Sequence, residues 1–124
     1  MNMEIVAVMP GCKPERITMP HTLEAMQHMV GGYIQAIYPY EDPVAIVCNE
    51  EGKISALEPN RAVRDLDTNE IIDIICGTFF ICGLNEDDFC SLTEEQITKY
   101  SKLFHSPEVF LWNGTHIVAL AVDI

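Results

Sequence analysis

The sequence predicts an α+β fold: a single domain with two main helices, a mostly antiparallel sheet and a C-terminal β-hairpin. Short apolar runs rich in β-branched residues, such as residues 44–48, recur along the chain and indicate strands. Two stretches with apolar residues at helical spacing follow capping residues and indicate helices. Asn113 and Gly114 between two apolar runs form the strongest short hairpin signal. A length of 124 residues corresponds to one domain spanning residues 1–124.

In the N-terminal half, glycine and proline mark where the predicted elements stop. Gly31 and Gly32 end the first helix, because glycine readily adopts the positive φ of a helix C-terminus. Residues 54–57 are predicted as a strand that forms a hairpin with the strand at residues 44–48. Residues 58–61, which include Pro59, end the strand at residues 54–57. The predicted elements are strands at residues 3–9, 17–19, 33–38, 44–48 and 54–57, and a helix from a cap at Thr22 or His21 to Val30, with Leu23, Met26, Gln27 and Val30 on its inner face.

In the C-terminal half, capping and turn residues define the elements. Residues 70–75 fit one helical turn or a strand, because periodicity does not separate the two over so short a run. A strand at residues 77–82 stops at Gly83, and Ser91 with Glu94 forms a capping box that starts the second helix. The inner face of that helix is predicted at Ile97, Tyr100, Leu103 and Phe104.

The last segment is predicted as two strands on either side of a turn at residues 113–114. A two-residue turn places Trp112 opposite Thr115 and Phe110 opposite Ile117. Both strands are apolar on both faces, so we expect a cover on each side, supplied by the helices of the sheet or by a second subunit. A homo-oligomer is therefore expected.

The charge balance is strongly acidic, with 7 Lys and Arg against 19 Asp and Glu and a formal charge of −12. Direct nucleic-acid binding is not expected, because phosphate contacts need a basic surface. The acidity fits a soluble, self-repelling surface, or a mimic of nucleic acid that occupies the basic groove of another protein. Because the sequence shows no signal peptide and no apolar run of about 18 residues, we expect a cytoplasmic chain without membrane contact.

Motifs for catalysis and cofactor binding are absent from the sequence. It lacks the G-x-S-x-G, P-loop, G-x-G-x-x-G and H-E-x-x-H patterns, so we expect a chain that is not an enzyme and uses no cofactor. The 5 cysteines are odd in number and form no C-x-x-C, and the 4 histidines are dispersed. We therefore expect neither a disulfide framework nor a metal site.

A ligand site is predicted from the placement of rare arginines. Arg61 and Arg64 follow Asn60 just after the end of a predicted strand, in a chain with one other arginine. The planar fork of Arg61 suits a phosphate or carboxylate, with Asn60 as a second polar contact. The alternative is that Arg61 pairs with one of the chain's own carboxylates.

Two glycines and a tyrosine form the other part of the predicted site. Freed backbone amides at a glycine pair make an anion nest, and a tyrosine ring can stack on a base; the alternatives are a helix stop and a core tyrosine. Asn49, which follows a strand, is included in the predicted set. The predicted ligand-binding residues are Gly31, Gly32, Tyr33, Asn49, Asn60, Arg61 and Arg64.

Five motifs in a fixed order carry a resemblance to a known family. They are VGGYIQAI at 30–37, CNEEGK at 48–53, PNR at 59–61, DIICGTFFICG at 73–83 and SLTEEQITKY at 91–100. Together they resemble domain of unknown function 3846, small proteins carried by phages and conjugative elements of Firmicutes. The resemblance covers about residues 3–108 and leaves the C-terminal hairpin unexplained. It implies an accessory protein of a mobile element and supplies no reaction.

Three functions agree with these observations. The first is a non-catalytic binder that counters a host defence system by sequestering a nucleotide-type anionic signal. The second is an acidic inhibitor that mimics nucleic acid and blocks a host nuclease or CRISPR effector, in which case the arginines are structural. The third is a plain accessory module. We favour the first, because acidic pairs are common whereas an Asn-Arg loop in an arginine-poor chain is not.

Overall fold

The structure is a computed structural model that describes residues 1–122. Within that range every strand pairing is antiparallel. The elements are α1 (Leu23–Val30) and α2 (Glu94–Leu103), and the strands β1 (Asn2–Val8), β2 (Glu15–Pro20), β3 (Ile34–Ile37), β4 (Val44–Asn49), β5 (Pro59–Arg64), β6 (Ile71–Cys76), β7 (Phe79–Asn85), β8 (Asp88–Cys90), β9 (Glu108–Trp112) and β10 (Ile117–Ala121). The two helices, the antiparallel sheets and the C-terminal hairpin confirm the predicted α+β composition. No helix among residues 1–122 is long and apolar enough to cross a membrane.

Six strands form a central sheet that is covered on both faces. Their order is β2-β1-β7-β4-β3, with β8 paired to β7. Because side chains alternate along a strand, successive residues of β7 enter different cores. Phe80 lies in one buried cluster with Met26 of α1, and Phe79 lies in the other with Tyr100 of α2 and Val63 of β5. Helix α1 therefore covers one face, while α2 and the β5–β6 ribbon cover the other.

Helix α1 has the predicted limits. The side chain of Thr22 caps it by accepting a hydrogen bond from the Ala25 amide at 3.1 Å, and Gly31 ends it in the left-handed region at φ 78°. The predicted inner face is partly wrong, because Leu23 is exposed. An eight-residue helix at this position turns only Met26 and Val30 fully into the core.

Helix α2 begins two residues later than the sequence suggested. Thr93 is the N-cap, and it forms the capping box with Gln96. Ser91 is not available for that role, because its hydroxyl accepts a hydrogen bond from the Glu4 amide of β1 at 2.9 Å. The predicted inner face holds except at Leu103, which is exposed.

Residues 54–57 do not form the predicted hairpin partner of β4. They are a turn, in which the Leu57 amide donates to the Gly52 carbonyl at 2.9 Å. Pro59 does not break a strand but begins β5, a position that tolerates its missing N–H. For residues 70–75 the periodicity left helix and strand open; the structure has a strand there, β6 (Ile71–Cys76), which pairs with β5.

Gly83 lies inside β7 rather than ending it. A Cβ atom at this position would lie 2.6 Å from the Ser91 carbonyl oxygen and 3.0 Å from the Cys90 sulfur. The strand continues past the glycine because β8 folds back onto it, with Gly83 opposite Cys90. A glycine here reflects close approach of two chain segments and not a stop.

The C-terminal hairpin exists, but its predicted register is wrong. Trp112 pairs with Ile117, and Phe110 pairs with Ala119. The side chain of Asn113 explains the longer loop, because its Oδ1 accepts from the amides of Thr115 and His116, each at 2.9 Å. This Asx-type arrangement replaces the two-residue turn.

Candidate functional site

Arg61 is the most unusual residue of the structure, a guanidinium that is only 1% exposed. Strand β5 carries it into the space between the end of α2 and the turn that follows β1. Its Nε donates to the Phe104 carbonyl at 3.2 Å, and its Nη1 donates to the Asn60 side-chain oxygen at 2.8 Å. Its Nη2 donates to the carbonyl of Cys12. Arg61 thus joins three segments that are distant in sequence.

Asn60 holds the guanidinium in place. It is as buried as Arg61, and its Nδ2 donates to the carbonyls of Val8 and Gly77, each at 2.9 Å. These two bonds fix the amide so that its oxygen faces Nη1 of Arg61. The sequence predicts a ligand contact for both side chains; the structure instead engages them in a shared internal network, and Asn60 does not line the cavity beside Arg61.

Arg61 has no carboxylate partner among residues 1–122. The ion pairs of that range involve other cations, and the bonds of Arg61 go to neutral oxygens. Burial therefore lowers the pKa of the guanidinium, and the charge of Glu108 raises it in part. The carbonyl end of α2, where Phe104 lies, provides a partial negative charge. The site keeps a net positive charge, because an arginine stays protonated in proteins.

A cavity of about 320 Å³ opens beside Arg61. Three of the 7 cationic residues of the chain line it: Arg61, Arg64 and Lys102. Among the lining residues in the range 1–122, Glu108 is the one carboxylate, and Arg64 pairs with it at 3.0 Å. Its other oxygen accepts from the Ala62 amide at 2.8 Å. Three cations against one carboxylate give this cavity a positive excess in a chain of formal charge −12.

The remaining walls of the cavity combine an aromatic ring with small polar groups. Tyr40 lies on one side, with its ring centroid 5.4 Å from that of Tyr100. Asn69 and Ser106 supply an amide and a hydroxyl. Because Lys102 is exposed and forms no ion pair within residues 1–122, its ammonium is free to meet a solute at the entrance. The arrangement suits an anion that carries a flat ring.

The structure divides the predicted site residues into two groups. Asn60, Arg61 and Arg64 lie together on β5, and both arginines line the cavity. The second group, Gly31, Gly32, Tyr33 and Asn49, does not line it.

The second group lies at the end of α1, which covers the opposite face of the central sheet. Asn49 donates from Nδ2 to the Val30 carbonyl at 3.2 Å and so satisfies the helix end. Gly32 leaves room for that amide, which would lie 2.8 Å from a Cβ atom. Tyr33 is exposed, and its carbonyl accepts from the Glu50 amide at 2.8 Å. These contacts are those of a helix stop, the alternative that the sequence left open.

Other concavities offer less to an anion. One of about 290 Å³ near Pro39 is lined by Asp42, Asp65 and Asp67, with Lys99 paired to Asp42. No group of three or more His, Cys, Asp or Glu that could hold a metal ion occurs in the part of the chain that the structure describes.

Sequence analysis missed Tyr40, Lys102, Ser106 and Glu108. Lys102 carried a usable signal, because cations are rare in this chain. Glu108 carried none, since it is one of 19 acidic residues. Their meeting with β5 depends on how α2 and β9 pack, which local patterns do not encode.

Comparison with known proteins gives one finding. Neither a curated protein nor a solved structure matches the chain. A family model described as a domain of unknown function matches residues 3–105, which include β5 and all of α2 but stop before the hairpin. The chain therefore belongs to the family of domain of unknown function 3846 (DUF3846).

Proposed function

We propose that the chain is a non-catalytic binding protein, folded as one unit, that sequesters a nucleotide-type anion in the Arg61 cavity. One observation carries the proposal: a buried guanidinium, which pairs with no carboxylate of residues 1–122, lines a cavity beside two further cations. An unpaired buried charge is costly, and an anion in the cavity would offset that cost. Three of the 7 Lys and Arg side chains of the chain line this one cavity, and this clustering supports a binding site for an anion.

The dimensions of the cavity limit the ligand. A volume of about 320 Å³ lies near the lower end of the range of roughly 300–1,000 Å³ that is usual for small-molecule sites. A single nucleotide fits that size better than an oligonucleotide. The phosphate would meet Lys102, with the charge of the buried Arg61 behind it, while the base would lie against Tyr40.

Binding without turnover is part of the proposal. Both oxygens of Glu108 are already engaged, one by the Ala62 amide and one by Arg64, so this carboxylate is poorly placed to act as a general base. Within the described range 1–122, neither a cysteine nor a histidine lines the cavity. In a mobile element, such a binder would lower the free concentration of a signal nucleotide in the host cytoplasm and so oppose a defence system.

A thermal-shift panel tests the proposal. The panel contains AMP, ATP, cyclic mononucleotides, cyclic dinucleotides and pyrophosphate, with adenosine as a phosphate-free control. A ligand at 100 times its Kd stabilises by about 2.7 kcal/mol, which raises Tm by several degrees. We expect at least one phosphate compound to do so and adenosine to have little effect. No shift with any phosphate compound would remove the proposal.

A second candidate is the acidic inhibitor of a nucleic-acid-binding protein. It is favoured by the tip of the β7–β8 hairpin, where Glu86 and Asp87 are exposed beside Asp88, and by the exposed pair Glu50 and Glu51. For this function, neutralising those carboxylates abolishes inhibition of the target nuclease, whereas Lys102→Ala leaves it unchanged. The sequestration function gives the opposite pattern.

A further inference from the structure

The C-terminal ribbon of β9 and β10 has two unlike faces. The inward face includes Glu108, which bonds to β5, and Phe110, which lines an apolar groove along β6. The outward face consists of two cross-strand pairs, Leu111 with Val118 and Val109 with Leu120. Residues 1–122 leave much of that outward face uncovered: Val109, Leu111 and Leu120 are 47%, 54% and 45% exposed, whereas Val118 is half-buried. On the inward face, Trp112 and Ile117 at the tip of the ribbon are exposed as well.

An uncovered apolar face is unfavourable for a ribbon of this kind. A two-stranded hairpin alone is at best marginally stable in water, and it gains stability from a third strand or from packing. The ribbon pairs with no further strand within the described range. A cover on its outward face would therefore add to the stability of the ribbon.

The charge distribution indicates what the cover is. Residues 109–122 contain no Asp, Glu, Lys or Arg, so the formal charge of −12 lies elsewhere on the chain. A basic partner would find no carboxylate to meet on this face. A second copy of the chain is repelled by the acidic surfaces but meets no like charge along the ribbon.

We propose that two copies of the chain pack their ribbons face to face about a twofold axis, through Val109, Leu111, Val118 and Leu120. A twofold interface needs a self-complementary surface, and a symmetric set of aliphatic side chains meets that need. The ribbon lies beyond residue 105, where the family match ends, so this pairing is a feature added to the common domain.

The pairing would also act on the Arg61 cavity. Glu108 and Ala121 line that cavity, and they face each other across the ribbon. Fixing the outward face therefore steadies one wall of the cavity. The proposal does not depend on the proposed function, because it concerns the opposite face of the ribbon.

Sedimentation equilibrium of the full chain over a range of concentrations tests the pairing. One copy has a mass of 13.9 kDa, and we expect twice that mass at high concentration. Leu111→Lys and Leu120→Lys place ammonium groups on the outward face and should each return the mass to a single copy. Ile54→Lys is the matched control, since Ile54 is 86% exposed and lies outside the ribbon, and it should keep the doubled mass.

Two results overturn the pairing. One is a native chain with the mass of a single copy at every concentration, a result that depends on no variant. The other is a doubled mass that persists in both lysine variants. Far-UV circular dichroism checks that each variant is folded, and a variant that unfolds is replaced by Leu111→Thr, which removes apolar area without adding charge.

Discussion

The Nε of Arg61 donates a hydrogen bond to the carbonyl oxygen of Phe104, the residue that caps the end of α2, at 3.2 Å. A helix C-terminus attracts a cation, because its last carbonyls carry a partial negative charge. The contact fixes the end of α2 against β5 and places Lys102 of the last helical turn at the same cavity. The hydrogen bond from Arg61 to Phe104 therefore both stabilises the packing of α2 on β5 and helps to position the residues of the candidate site.

Arg61→Met is expected to destabilise the chain. It leaves the carbonyls of Phe104 and Cys12 and the side chain of Asn60 without a donor, at about 1–3 kcal/mol for each unsatisfied group. Removing a buried charge offsets part of this loss. We expect the free energy of unfolding in urea to fall by about 2–4 kcal/mol.

The matched comparisons for this prediction are Arg61→Lys and Lys13→Met. Lysine keeps the charge but not the planar fork, so it should also destabilise. Lys13 is exposed in the loop after β1, and its substitution should change stability by less than about 0.5 kcal/mol. Equal stability of the native chain and Arg61→Met would contradict the structural role.

Asp42 is expected to contribute to acid sensitivity. Its Oδ2 accepts from Lys99 at 2.6 Å and from the Tyr100 hydroxyl at 2.7 Å, and these bonds lower the pKa of the carboxyl from 3.8. A carboxyl with a lowered pKa in the folded state stabilises the fold above the unfolded value. That contribution disappears as the pH falls below about 3.8 through the folded pKa.

Asp42→Asn should therefore lose less stability than the native chain between pH 6 and pH 3, as measured by urea unfolding at both values. Glu95→Gln is the control, because Glu95 is exposed in the first turn of α2 and forms no ion pair in residues 1–122. An identical acid-induced loss in Asp42→Asn and the native chain would count against this role.

Gly83→Ala should destabilise the central sheet. The added methyl group would lie 2.6 Å from the Ser91 carbonyl oxygen, a backbone atom that cannot move without shifting β8. Overpacking of this kind costs about 1–3 kcal/mol. Thermal unfolding measures it, with Gly114→Ala as a comparison in which strain at φ 95° is present but no atom lies within 4 Å. A Gly83→Ala variant as stable as the native chain would show that β8 can shift at little cost in free energy.

The cysteines are expected to react in three groups with a thiol reagent. Cys12 is exposed and should react first, followed by the half-buried Cys76 and Cys90. Burial raises the pKa of Cys48 to about 11 and that of Cys82 to about 12, so these thiols should react only after unfolding. Mass spectrometry of a timed labelling reaction measures the order. Early labelling of Cys82 would contradict the placement of β7 in the core.

Local signals account for the elements that sequence analysis placed correctly. Thr22 begins α1 and Gly31 ends it through contacts within the helix itself, so the limits of α1 can be predicted without knowledge of the rest of the fold. Ser91 and Thr93 are both followed three residues later by Glu or Gln, and the sequence offers two capping boxes. The contact of Ser91 with β1 decides between them, and that contact is non-local.

The candidate site was only partly predictable for the same reason. The scarcity of arginine drew attention to Arg61 and Arg64, which share the cavity. Tyr33 appeared equally suitable in the sequence, yet α1 and β5 lie on opposite faces of the sheet. Lys102 looked like an ordinary surface residue of a helix, because only the packing of α2 against β5 brings it to the site.

The most direct test is calorimetric titration of the native chain and of Lys102→Ala with the nucleotide that gives the largest thermal shift. Lys102 is exposed and its loss should leave stability unchanged, so the variant separates binding from folding. We predict that Lys102→Ala weakens binding roughly tenfold, or about 1.4 kcal/mol, while Lys13→Ala binds like the native chain. Equal affinity for all three chains, or no heat of binding with the native chain, would contradict an anion site at Arg61.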